Sequence, residues 1–383
     1  MPNGYCPAIL THIEAITKCN PARKLSNQGF LAAVLNNMDD SVKAEINSGY
    51  DDGHVKGVSV AFRRRPLASE VSDTEIACDT ALTPAKDEFS LPSLLTKSIS
   101  FYVPNSLIRQ YCKDSSERVV LDINQDAALN DRGETAVMKE VYDMLIEYGG
   151  ALLANIDAAL VTQQLTQFGT NVKTGAATAT ALDFAPGTIG MGNAYVRLME
   201  DMRENEFCDD VYMVGNGPFS NMDLIRNWFS SQPGANGVNN SAMLNSFPKV
   251  YFDKNTRSIW GANQIGVFEK GSQGLITYNK YVKSFAGRIA NTEFGTIALP
   301  TAEYCCPQEY LDRLQFDIKV REIDCPTTMT INGASTTVSE GVQITLVWRG
   351  SLWTRPTNLY KSGDPLLGTN GTLRYAITET VPA

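Results

Sequence analysis

The amino-acid sequence predicts an α+β protein. One observation is a long helical stripe. Between Glu134 and Gln167, residues Val137, Val141, Leu145, Leu152, Ile156 and Leu160 recur on one face, with Met138, Tyr142, Ile146 and Leu153 beside it. That spacing is the period of a buried helix. The other observation is the strand-rich chain from residue 248 onward. There PKVYFD, RSIWGA, QIGVFEK and GLITYNKY carry alternating β-branched and aromatic residues, the pattern of strands half-buried in sheets. No internal repeat is evident.

Taken in chain order, NPARK at 20–24 reads as a turn, and FLAAVLNNMDDSVKAEI predicts a helix over about 28–47. Phe30, Leu31, Val34, Leu35, Met38, Val42 and Ile46 recur in it at three and four. Gly49, Asp51, Asp52 and Gly53 stop it. The next segment, HVKGVSVAFRRRPLASEVSDTEIACD, alternates at Val58, Val60 and Phe62 and reads as extended. Ser98 to Val103 predicts another strand. The long helix follows and would span about 50 Å at 1.5 Å per residue. Gly149-Gly150 is a candidate bend, since glycine pairs are a known kink site. Residues 169–188, rich in Gly, Thr and Ala, read as a linker or loop, and Ile189 to Arg203 as a helix. FCDDVYMVGNGPFSNMDLIRNWF predicts a strand at Val211–Val214, a tight turn, and a helix from near Pro218. SSQPGANGVNNS at 230–241 reads as a polar loop. Later, YLDRLQFDIKVREID (310–324) is extended, and TMTINGAST holds Asn-Gly, a hairpin signal. In GVQITLVWRGSLW, residues Val342, Ile344, Leu346 and Trp348 share one face. The tail, 354–383, reads as partly extended.

Composition narrows the function. The chain has 383 residues, with 42 acids against 33 bases and a formal net charge of −9. A protein built to grip nucleic acid usually presents a basic surface. Histidine occurs only at His12 and His54, so a three-histidine metal site is excluded. No apolar run reaches eighteen residues, so no membrane span is expected. The N-terminal sequence lacks the basic start and apolar block of a signal peptide. The eight cysteines, Cys6, Cys19, Cys78, Cys112, Cys208, Cys305, Cys306 and Cys325, form no CxxC. They are expected to be reduced and not to bind zinc.

No catalytic motif stands out. GxSxG, HExxH, an EF-hand loop and a Walker loop are all absent. GNGPFS at 215–220 lacks the Lys-[ST] ending of a phosphate loop and is expected to be a strand-to-helix turn using positive φ at Gly or Asn. The carboxylate pairs Asp39-Asp40 and Asp51-Asp52 lack the spacing of a calcium loop. Cys78 with His54 and Asp52 would be a catalytic set only if geometry assembled it. The helix acids Glu134, Glu140, Asp143, Glu147 and Asp157 fall off the apolar stripe and face Lys139 alone among the bases counted from Glu134 to Gln167. They are expected on solvated or interface faces. No enzyme, no cofactor and no metal site is therefore expected. The basic run Arg63-Arg64-Arg65 reads as a strand end that meets either solvent or an acidic neighbour.

The order of these elements resembles that of the major capsid proteins of tailed bacteriophages, the HK97-like fold family. VYMVGNGPFSNMDLIRNWF is similar to that family's axial-domain strand, turn and helix, and QIGVFEKGSQGLITYNKY to its later axial strands. The resemblance rests on organisation, not on a diagnostic motif. It implies an N-terminal arm at 1–53, an extended E-loop hairpin region at 54–100, and a peripheral domain at 101–188 containing a spine helix at 134–168. An axial domain would follow at 189–300, peripheral-domain strands would return at 301–353, and a C-terminal extension would occupy 354–383. The sequence departs from the family in having no charged coiled-coil scaffolding stretch ahead of the body and in its rich C-terminal strand block.

What the resemblance implies about function is a structural subunit. It would assemble with copies of itself, in pentamers and hexamers, into an icosahedral shell around double-stranded DNA. The implied partners are portal, decoration or scaffolding proteins and packaged DNA bound without sequence specificity. The implied location is the virion capsid, assembled in the host cytoplasm. Arg63, Arg64 and Arg65 would make an inter-subunit contact, and residues 1–47 and 54–100 would pack mainly on neighbouring subunits. Lys56 with Asn358 or Asn370 has the residue types of a covalent lock, though noncovalent interlocking is the expectation. An encapsulin-like cage, another virion, tail or surface-layer component, an enzyme with an unrecognised site and a soluble binding module are the alternatives.

Overall fold

A computed structural model describes residues 29–38, 44–51, 54–63, 86–91, 94–104, 132–183, 197–207, 210–216, 248–281, 286–297, 314–323, 326–331, 333–338, 341–355 and 370–378. The front of the chain gives helix α1 (Gly29–Asn37) and strands β1 (Ala44–Asp51), β2 (His54–Arg63), β3 (Lys86–Leu91) and β4 (Leu95–Pro104). Helix α2 (Arg132–Gln167) follows, then β5 (Thr180–Asp183), a helix α3 at 197–204, β6 (Val211–Gly215), β7 (Lys249–Phe252) and helix α4 (Lys254–Ile259). The remaining strands are β8 (Gln264–Glu269), β9 (Gln273–Thr277), β10 (Gly287–Ile289), β11 (Thr292–Ile297), β12 (Phe316–Ile323), β13 (Thr327–Ile331), β14 (Ala334–Val338), β15 (Gly341–Thr354) and β16 (Thr372–Thr378).

The chain forms two compact units. One contains Leu95–Ile156 and Thr277–Gly350. Its sheet runs β10-β11-β12-β15-β4, with every neighbour on that path antiparallel. Register places Ile318 beside Leu346, Val320 beside Ile344, and Phe101 on the far side of Ile344. All of these are buried, so the alternation read in β15 does mark a core face. Phe101 stacks on Tyr148 of α2 with ring centroids 4.6 Å apart and planes 6° from parallel, the kind of offset pair that adds to plain area burial. The other face of β12 turns Asp317 into the protein. This fully buried carboxylate accepts from the Lys280 and Tyr281 amides at 3.0 and 3.3 Å and pairs with the Arg349 guanidinium. The hairpin predicted at Asn-Gly forms as β13 and β14 in register Ile331↔Ala334, and Gly333 has a φ of +80°.

The second unit contains Gln28–Leu94, Asp157–Ile276 and Ser351–Ala383. Its main sheet has the order β5-β16-β8-β6-β7. One face is closed by α3, where Leu198 and Met202 meet Met213, Ile265, Val267, Leu373 and Tyr375. Alternation sends Tyr212 and Phe268 to the other face. There Phe268 meets Phe30, Phe168, Tyr212 and Trp260 at centroid distances of 5.3–6.4 Å. Gly266 makes room for this aromatic cluster, because a Cβ there would lie 2.5 Å from the Phe268 ring. A separate three-stranded sheet pairs β2 with both β1 and β3, antiparallel throughout.

Several local expectations change. The helix predicted over 28–47 ends at Asn37, and Ala44–Asp51 is a strand. Asn37 turns its amide back onto the Ala33 carbonyl at 2.7 Å, and pairing with β2 then outweighs the weak helical spacing of Val42 and Ile46. RSIWGA is not a strand. Asp253 caps α4 by accepting from the Asn255 amide at 2.7 Å, a helix start that its side chain dictates. The loop expected at 169–188 contains β5, which pairs in parallel with β16. Helix α2 continues through Gly149-Gly150, and its 36 residues span about 54 Å.

Over Asp143–Gln167 that helix has a mean hydropathy of 1.4 in its most apolar window, long and apolar enough to cross a membrane by length and composition. This corrects the expectation that no such stretch exists. Asp143, Glu147 and Asp157 interrupt the apolar run in the sequence without lowering its average enough. Leu145, Leu152, Leu153, Ile156, Leu160 and Val161 are all buried within the protein.

Candidate functional site

Of the sequence-predicted contact residues, Arg63 closes β2 at the register position opposite Lys86 of β3. Arg64 and Arg65 lie outside the described residues. So do Asp52, Cys78 and every other cysteine, so the Cys78-His54-Asp52 set falls outside them too, although His54 begins β2. Asp39-Asp40, the helix expected from Pro218 and the loop at 230–241 also fall outside. Among the described residues no group of three or more His, Cys, Asp or Glu side chains is arranged to hold a metal ion.

The helix carboxylates do not share one environment. Glu147 is exposed and Asp143 half-buried, whereas Asp157 is fully buried. That corrects its placement on a solvated face. It lies in a constellation that the sequence reading missed. The Asp157 Oδ1 accepts from the Leu31 amide at 2.9 Å, and Oδ2 accepts from Asn255 Nδ2 at 2.6 Å. Asp253 Oδ2 accepts from the Phe30 amide at 2.9 Å. Two carboxyl groups from distant parts of the chain thus take up the first amides of α1, which have no partner inside their own helix. Gly29 allows the approach: a Cβ there would sit 2.0 Å from the Phe252 carbonyl oxygen. Burial, and next to it the charge of Asp253, push the Asp157 carboxyl up to about 8. Near neutral pH Asp157 therefore keeps its proton. The one signal in sequence was Asp253 ahead of a short polar helix; Asp157 looked like any acid on a long helix.

The surroundings of this pair are built for packing. Helix α1 buries Phe30 through Leu35. Phe30 meets the Trp260 ring edge-on at 5.9 Å, and Trp260 donates its indole N–H to the Val161 carbonyl at 3.0 Å. Phe30–Leu35 therefore pack inside their own unit, which overturns the expectation that the whole of 1–47 packs mainly on neighbours. Their side chains are contiguous and apolar enough to fill the sheet face that Phe268 presents.

Two other candidates prove to be structural pins. Asn216, in the turn that opens GNGPFS, is buried. Its amide donates to Thr256 Oγ1 at 2.9 Å and to the Gly261 carbonyl at 3.1 Å, and its Oδ1 accepts from the Asn263 amide at 2.8 Å. Neither Gly215 nor Asn216 has a positive φ. Gly215 is required by proximity instead, since a Cβ would meet the Gln264 carbonyl oxygen at 2.6 Å. Asn370 is also buried. It donates to the Gln167 carbonyl at the end of α2 at 2.8 Å and accepts from the Thr372 amide and hydroxyl at 3.0 and 2.7 Å. An amide so engaged is not presented to a lysine of another chain. Burial also raises the Tyr212 and Tyr375 phenols, so neither supplies a base at neutral pH.

No family model matches the chain, and no curated protein matches it. Solved structures do. One, from Mycobacterium phage Adephagia, is 13% identical, covers 100% of this chain and 96% of its own, and superposes with a TM-score of 0.45. The Cyanophage A-1(L) capsid asymmetric unit is 12% identical, with 93% and 94% covered and a TM-score of 0.46. A virus-like particle from Pyrococcus furiosus is 9% identical, with 91% and 96% covered and a TM-score of 0.34. The chain is thus similar, along most of its length and at low identity, to chains of phage and virus-like particles.

Proposed function

We propose that this chain is a shell-forming structural protein, a major capsid protein of the HK97-like kind, and not an enzyme. The observation that carries the reading is the succession of a three-stranded ribbon, β1-β2-β3, and the 36-residue helix α2. A helix of that length exceeds what a compact domain needs for its own core. In this reading β1 ends the N-terminal arm, β2 and β3 belong to the E-loop region, α2 is the spine, β6, β7 and β8 are axial, β12 and β15 are returning peripheral strands, and β16 lies in the C-terminal extension. The shell is icosahedral, is built in the host cytoplasm from pentamers and hexamers, and encloses double-stranded DNA with the help of portal, decoration or scaffolding proteins. The net charge of −9 supports that role, because an acidic lining lets DNA slide where cationic contacts would hold it.

Expression of the full chain tests this. Light scattering and electron microscopy are expected to show closed particles whose nucleic acid resists nuclease when they are taken from infected cells. A stable monomer at high concentration sinks the shell. Particles holding a co-purifying protein and no nucleic acid replace the genome container with an encapsulin-like cage.

The arginine run belongs to the same proposal. Arg63 stands at the end of β2, at the register position opposite Lys86, and Arg64 and Arg65 follow it in the sequence. A carboxylate of a neighbouring subunit is the partner of this run in this reading. Changing Arg63, Arg64 and Arg65 together to Glu is expected to block or misdirect assembly and to leave the circular dichroism of the subunit unchanged, since exposed charges contribute little to folding. Normal particles at normal yield would refute the interface. Normal shells that lose their genome would move the arginines to the lumen.

A further inference from the structure

We infer that Asp157 and Asp253 form a proton-gated latch on α1, tight while Asp157 is protonated and loosened when it ionises beside Asp253. The inference concerns a single subunit and stands whether or not the chain builds a shell. Geometry carries it. Asp157 lies on the C-terminal half of α2, Asp253 caps α4, and they accept from the Leu31 and Phe30 amides respectively, both in the first turn of the same nine-residue helix. The two side chains are buried at 0% and 3% exposure, so any second charge must be accommodated without water unless an element moves away.

Among the described residues, the groups facing Asp157 contain no compensating cation. Helix α1, GFLAAVLNN, has no ionisable residue. The start of α4 brings Asp253 as a charge and Asn255 as a neutral donor. Lys254 and Arg257 of α4 form no ion pair with either carboxyl among the described residues. Of the three elements, α1 is the one that can yield: α2 is anchored by Trp260 and Asn370 at Val161 and Gln167, and α4 is tied to Asn216 through Thr256.

The sign follows from the proton count. Docked, Asp157 keeps its proton up to about pH 8; solvated, it would lose it near its ordinary value of 3.8. The docked state therefore holds one more proton across that interval. Docking is fullest below it and weakens by up to about tenfold per pH unit through it, levelling off above about pH 8. Alkali frees the helix together with the chain attached to it.

Hydrogen exchange on the full chain tests the latch. Amides of residues 30–35 are compared at pH 6, 8 and 9 after correction for intrinsic exchange. Their protection is expected to fall by about 50-fold from pH 6 to pH 8 and by only about a further twofold by pH 9. Amides of β12 and β15 serve as the internal reference. In Asp157→Asn, a neutral isostere that keeps the acceptor for Leu31, protection is expected to be flat with pH. Flat protection in the wild type, or an unchanged slope in Asp157→Asn, overturns the latch. Should that variant not fold, Asp253→Asn removes the neighbouring charge and is expected to make the fall level off at a lower pH. An unmoved plateau also overturns it.

Discussion

Replacing Phe30 by alanine is expected to destabilise the unit that contains it by about 3–5 kcal/mol, the usual cost of truncating a buried phenylalanine. Phe30 is fully buried, and its ring lies 5.9 Å from both Trp260 and Phe268. Alanine would leave a void between rings that are held from behind: Trp260 by its bond to Val161, and Phe268 by its strand in the centre of the sheet. They cannot collapse into it. At about 2–4 °C per kcal/mol for a unit of this size, thermal unfolding would shift by roughly 6–20 °C. Phe30→Leu should cost much less, because it restores most of the volume. Calorimetry decides, and an unchanged midpoint for Phe30→Ala would show that α1 is not part of the core. The same residue separates two roles of the front of the chain, since loss of residues 1–25 leaves α1 in place while loss through Asn37 removes it.

The second large effect is expected at Asp317. Changing it to alanine strands Arg349, 18% exposed at its side chain, and leaves the Lys280 and Tyr281 amides without their acceptor. Removing one partner of a buried pair typically costs about 3–5 kcal/mol, because the other charge stays buried. Asp317→Asn keeps an acceptor for one or both amides and should cost less. Denaturant unfolding of both variants checks this order. Equal losses would mean that the amide bonds matter little and the charge is everything; no loss in either would remove the ion pair from the account of stability.

The parts of the fold that could be read from sequence are those specified locally. The period of Leu145, Leu152, Ile156 and Leu160 located α2 to within two residues. Alternation located β12 and β15, and Asn-Gly located the β13–β14 turn. What escaped depends on remote partners. Thr180–Asp183 has no strand signature of its own and is a strand because β16 lies alongside, nearly 200 residues later. Asp157 could not be told from Glu147 by sequence. Its burial is set by Leu31 and Asn255, 126 and 98 positions away. Ala44–Asn47 reads as the end of a helix because Ile46 satisfies a helical and an alternating pattern alike, and pairing with β2 decides between them. RSIWGA reads as a strand from Ile259 and Trp260, although Asp253 already carries the cap of a helix.

The position of β16 has a consequence for how the protein is made. It lies between β5 and β8, an inner place in the sheet, yet it is the last described strand to leave the ribosome. When β8 has been synthesised, about 100 more residues must follow before Thr372–Thr378 can join it, roughly 5–20 s at ordinary elongation rates. Through that interval β8 keeps an open edge, Tyr375 is missing from the core beneath α3, and Asn370 has not yet closed the end of α2. A nascent chain therefore cannot complete this unit before Thr372–Thr378 has emerged, and translation itself holds each copy immature until then.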